Sequence, residues 1–123
     1  MIGNGATVLP LRDYRPARRA LYFTRGELNQ LLGLYSRSVA RGVWRDYAID
    51  NGDGQALFSV FRHTHESAAY TIVKSLAPAA GPGSSEVLYT VLSGRQRLCV
   101  ARNLAEALDY FRARPSLVPG ARR

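Results

Sequence analysis

Gly42-Val43-Trp44-Arg45-Asp46-Tyr47-Ala48-Ile49-Asp50 marks the point where the chain changes period. Before it, apolar residues recur at helical spacing; after it, they alternate as in strands. Asn51-Gly52-Asp53-Gly54 then separates two β-type runs, residues 43–50 and 55–62, which predicts a hairpin. An even-numbered loop places Val43, Arg45, Tyr47, Ile49, Ala56, Phe58, Val60 and Arg62 on one face, and that face is mostly apolar. The other face receives Trp44, Asp46, Ala48, Asp50, Gln55, Leu57, Ser59 and Phe61. An odd loop mixes both faces. A one-residue slip swaps every side chain across the sheet, so the even loop is preferred.

Upstream, Thr24 has the position of a helix N-cap, with Glu27 three residues on to close a capping box. Phe23 and Leu28 have the spacing of a hydrophobic staple. Leu28, Leu31, Leu32, Tyr35 and Val39 form one helical stripe, and Gly42 is placed for the left-handed residue that ends the helix. The spacing predicts a helix over residues 25–41. Leu21-Tyr22-Phe23 reads as a short edge strand.

Downstream, the polar His63-Thr64-His65-Glu66-Ser67 leads to a third strand over residues 69–74. Residues 76–85, rich in Ala, Pro, Gly and Ser, read as a loop. Further strands follow over 86–92 and 97–101, joined by Ser93-Gly94-Arg95-Gln96. Asn103 and Glu106 form a second capping box ahead of a short helix whose stripe is Leu104, Ala107, Leu108 and Phe111. The fold class is α+β. An antiparallel meander sheet of four to five strands carries the N-terminal and C-terminal helices on one face and leaves the other open. Residues 21–114 make the single domain, with a flexible basic arm at 1–20 and a flexible basic tail at 115–123.

Phe23–Leu32, Gly42–Asp50 and Ala56–Arg62 together resemble an alphaproteobacterial small-protein family, domain of unknown function 2794. The resemblance runs from about Leu21 to Phe111 and is densest over residues 23–62. That family carries no assigned activity, so the resemblance implies membership and no mechanism.

The chain has 123 residues and a net charge of +8. Residues 1–20 hold +3, residues 113–123 another +3, and the domain between them only +2. Sixteen of the seventeen basic residues are Arg; Lys74 is the exception. Arg12, Arg15, Arg18 and Arg19, with Arg45 and Arg62 in the domain, are the candidates for contacting an anion or nucleic acid. There is no long apolar run or signal-peptide pattern, and Cys99 has no partner for a disulfide. A cytoplasmic protein that does not enter the membrane is expected, with Cys99 as a small buried hydrophobe.

No nucleophile elbow, phosphate-binding loop or dinucleotide fingerprint is present. Arg45 and Asp46 are adjacent on a strand and point to opposite faces. Asp46 and Asp50 share a face but stand about 13 Å apart, too far for a catalytic carboxylate pair. His63-x-His65-Glu66 lacks a third ligand nearby in sequence, and the family carries other residues at the histidines. The expectation is therefore no enzyme, no metal and no cofactor. Arg45 and Arg62 fall side by side on the core face, so they need an acid, with Glu27 or Glu106 the candidates. Trp44, Asp46, Leu57 and Phe61 fall together on the open face as a partner-binding patch. The expected function is a non-catalytic module binding a protein partner or a second copy of itself through that face. The alternative is a nucleic-acid-binding module using the Arg-rich tails and the aromatic face.

Overall fold

Thr24 sets the start of the first helix, α1 (Arg25–Ala40). Its extended backbone turns Oγ1 toward the Glu27 N–H at 3.1 Å, while Glu27 Oε1 accepts the Thr24 N–H at 2.8 Å. Both halves of the capping box are therefore made. At the other end Gly42 adopts φ +84. The Gly42 N–H donates to the Val39 carbonyl and the Val43 N–H to the Ser38 carbonyl, both at 2.9 Å. This is a Schellman closure, which needs a residue free to take positive φ. The computed structural model describes residues 20–52, 54–63 and 66–113. The expected arm, apart from Ala20, and the expected tail lie outside the described residues.

Five strands follow: β1 (Asp46–Gly52), β2 (Gln55–Phe61), β3 (Tyr70–Pro78), β4 (Ser85–Ser93) and β5 (Gln96–Ala101). They pair in chain order as one antiparallel meander, and α2 (Leu104–Ala113) closes the fold. Gly52 pairs with Gln55, so the first hairpin loop has an even length, as expected. Tyr47, Ile49 and Asn51 oppose Val60, Phe58 and Ala56 on the core face, where the three β2 residues are fully buried. Asp46, Ala48 and Asp50 oppose Phe61, Ser59 and Leu57 on the other face.

Several boundaries differ from the sequence reading. Leu21-Tyr22-Phe23 is not a strand. The Leu21 and Tyr22 carbonyls instead accept side-chain hydrogen bonds from Asn51 at 2.6 Å and Lys74 at 2.8 Å. β3 and β4 reach further into the expected loop, to Pro78 and from Ser85. In α1 the buried line is Leu31, Leu34 and Ser38, with Leu28, Leu32 and Tyr35 beside it, while Val39 is 41% exposed. The stripe is rotated because α1 faces α2 as well as the sheet.

The largest correction is Trp44, expected on the open face and found in the core at 1% exposure. Strand alternation governs side chains only where a strand is paired, and β1 begins at Asp46. Trp44 sits between the helix-ending glycine and the strand. There it turns edge-on against Phe111, with ring centroids 5.6 Å apart, and lies 6.3 Å from Tyr70.

Both helices contribute to the one core with the same sheet face. α1 begins near Lys74 and Tyr89, which Glu27 touches, and passes Tyr47, which Tyr35 meets at 4.8 Å. α2 begins just after Ala101, the partner of Tyr89, and brings Phe111 against Trp44 and Tyr70. The helices therefore run side by side in the same direction.

Candidate interaction surfaces

The open face carries Leu57, Phe61, Val73, Leu88, Leu92 and Val100, interleaved with Ser59, Thr71 and Thr90. No helix among the described residues covers it, since both pack on the opposite side. Val73, at its centre and paired with Leu57 and Thr90, is only 7% exposed, whereas Val100 at the margin is 45% exposed. Of the four residues expected to form a partner-binding patch, Asp46 and Phe61 pair on this face, Leu57 lies four residues along β2 on the same face, and Trp44 is not on it.

The two margins of this face differ in charge. Asp46 and Asp50 line it on β1. Arg97 lines it on β5 because of a bulge between the pairs Val91–Cys99 and Leu92–Arg97. Without the extra residue Leu98, Arg97 would share the core face with Cys99 and Ala101; a bulge re-aims a side chain in just this way. Arg102, at the end of β5, reaches Glu86 on the same face at 3.4 Å.

β1 is also an unpaired edge, with all seven residues exposed. A two-residue loop closes on a hydrogen-bonded pair, so Asp46, Ala48, Asp50 and Gly52 bond to β2. Tyr47, Ile49 and Asn51 turn their backbone groups outward. Asp46 Oδ1 accepts the Tyr47 N–H at 2.9 Å, and Asp50 Oδ1 accepts the Asn51 N–H at 2.8 Å. The two aspartates thus occupy outward donors that an added strand needs, a means of blunting an edge.

The paired arginines of the sequence reading do not meet an acid from either helix. Arg45 and Arg62 are both exposed, and Arg62 stands 6.0 Å above the Tyr70 ring as a cation–π contact. The sheet-to-helix ion pair exists with a different cation: Lys74 Nζ meets Glu27 Oε1 at 2.8 Å. Tyr89 donates its hydroxyl to Glu27 Oε2. Burial alone pushes the Glu27 carboxyl up; the hydrogen bonds from Lys74, Tyr89 and Thr24 and the Lys74 charge outweigh it and hold it below the usual range. Burial, followed by the bond to Glu27, pushes the Tyr89 hydroxyl above its ordinary value. The Lys74 and Tyr89 contacts to Glu27 tie the start of α1 to β3 and β4. Among the described residues no group of acids, histidines and cysteine is placed to hold a metal. His63 is exposed, and His65 lies outside the described residues, as do Arg12, Arg15, Arg18 and Arg19. Among the described residues no helix is long and apolar enough to cross a membrane.

A groove of about 490 Å³ opens between α1 and α2. Leu34, Leu108 and Phe111 form its floor, and Arg37, Arg41 and Arg112 stand around it. The sequence reading missed this site, because its residues come from the two ends of the chain and only the parallel placement of the helices unites them.

Residues 21–95 match the family model described as protein of unknown function (DUF2794). The chain belongs to this family. No curated protein and no solved structure matches it. The DUF2794 match covers α1 and β1 to β4 and stops in the turn before β5. It therefore includes Asp46, Asp50, Leu57 and Phe61, whereas Arg97, Val100 and all of α2 lie beyond it.

Proposed function

We propose that this domain is a non-catalytic interaction module that pairs with a second copy of itself through the open sheet face. The observation that carries the reading is the charge asymmetry of that face, Asp46 and Asp50 along β1 against Arg97 on β5, with an apolar middle. Two such faces stacked about a twofold axis parallel to the strands bring β5 of one copy over β1 of the other. Arg97 then lies beside Asp46 and Asp50 of the partner subunit, and the apolar residues meet in the centre. An interface of this kind is isologous and closes on itself.

The size of the face sets the expected strength. Five strands at about 4.8 Å spacing and seven residues in length cover about 550 Å² per copy. About 1,100 Å² in total is the low end for a specific interface, which corresponds to a weak or transient dimer. The acidic margin weighs against a phosphate backbone on this face.

Sedimentation across a concentration series tests the reading. The wild type should show a monomer–dimer equilibrium that Arg97→Glu weakens and that Asp50→Arg, added to Arg97→Glu, restores. A wild type that stays monomeric at high concentration overturns the dimer. If generic RNA binds instead, with a steep loss of affinity as salt rises, the nucleic-acid alternative takes its place.

A further inference from the structure

We infer that the groove between α1 and α2 is a binding site for an amphipathic anion, a carboxylate or phosphate head carrying an apolar body. The site is on the helix layer, away from the open face, and the inference stands without the dimer.

Three features point to this class of ligand. The first is volume: about 490 Å³ lies within the range of small-molecule sites. The second is polarity along the groove. Arg37, Arg41 and Arg112 all stand at the C-terminal ends of the two helices, while the opposite end is lined by Asn29, Gln30 and Ala105, which carry no charge. Leu34, Leu108 and Phe111 form the floor between them. Charge at one end and apolar surface along the body match an anionic head and an apolar tail. The third is the state of the guanidinium groups. Arg112 is held by Asp109 at 2.8 Å, but Arg37 and Arg41 form no ion pair with an acid among the described residues.

A cation at a helix C-terminus offsets the helix dipole, and this accounts for one arginine per helix. It does not account for two of them on α1 converging with Arg112 on a single groove. Gly33 adds to the arrangement. Its bare Cα faces the groove, and a Cβ built there stands 3.5 Å from the Arg37 guanidinium. The guanidinium thus folds back along the groove wall. Guanidinium forks bind carboxylate and phosphate oxygens in pairs, so Arg37 and Arg41, lining the groove with Arg112, offer forks to an anionic head.

The chain holds one Trp, and it reports on the site. Trp44 is packed edge-on against Phe111, whose ring belongs to the groove floor. Titration of the full chain with decanoate, decanol and inorganic phosphate, followed by Trp44 fluorescence, tests the inference. Decanoate should give a saturable change that inorganic phosphate competes away and decanol fails to reproduce. Arg37→Gln with Arg41→Gln, both exposed positions, should weaken decanoate about tenfold or more. A decanoate response that survives the double substitution, an equal response to decanol, or no saturable response overturns it.

Discussion

Lys74→Met tests what holds α1 on the sheet. Met keeps the length of the Lys stem and removes only the ammonium. In the wild type that ammonium contacts Glu27 Oε1 and the Tyr22 carbonyl, both at 2.8 Å, and the Lys74 and Glu27 side chains are 8% and 13% exposed. Removing one partner of a buried pair costs about 3–5 kcal/mol, because the other charge is left without its counterion. Glu27 keeps Tyr89 and the Thr24 N–H, so the expected loss lies at the low end, about 3 kcal/mol. In a domain of this size that lowers Tm by about 12–24 °C. The pH dependence supplies a second reading of the same contact. Glu27 is held below its ordinary 4.5 in the folded state, so its contribution is complete above that value and is lost as pH falls through the folded one. Urea denaturation at pH 7 and at pH 4 should show a loss on acidification in the wild type and a smaller one in Lys74→Met. A cost below about 1 kcal/mol at pH 7, or an acid loss equal to that of the wild type, refutes the reasoning.

Trp44→Ser should cost at least about 3 kcal/mol and abolish the cooperative transition in a marginal background, as a core truncation does; a fully folded variant would return Trp44 to the surface. Gly33→Ala should stabilise by about 0.5–1 kcal/mol in thermal melts, since the added Cβ meets only an ordinary contact and the helix interior gains propensity. Thr24→Ala should cost about 1 kcal/mol and Phe58→Ala about 3–5 kcal/mol in denaturant titrations, and a reversal of that order would mean the core face is misassigned.

The fold was legible wherever a local rule decides the structure. Thr24 with Glu27 starts a helix, Gly42 ends it, and the two-residue loop fixes the faces of β1 and β2; each acts through neighbours in sequence. The surfaces were legible only in part, because they depend on where paired strands begin and on how distant elements meet. Trp44 shows the first limit: two residues outside the ladder, alternation no longer governs it. Arg97 shows the second, since its face is set by a bulge that no turn residue announces. Lys74 carried a usable signal. In a chain that otherwise uses Arg, a lone Lys fits a site needing a compact charge on a flexible stem, and it is 7% exposed against Glu27.

The two proposed sites lie on opposite layers, and this makes them separable. The open face and the groove are divided by the sheet and by the side chains that join it to the helices, including Phe58, Ile72 and Val91, all fully buried. A helix or sheet packed on another layer stands about 10 Å away, beyond the range over which substitutions without shared partners couple. Arg97→Glu should therefore weaken self-association without changing the decanoate midpoint, and Arg37→Gln with Arg41→Gln should do the reverse. Combined, the three substitutions should show the sum of the two effects within about 0.5 kcal/mol. A larger departure would mean that the core transmits strain between the layers. Trp44 is then the residue to examine, because it touches Phe111 on the groove side and precedes Asp46 on the open face. A Trp44 fluorescence change on dimerisation alone, with no ligand present, would locate the coupling there.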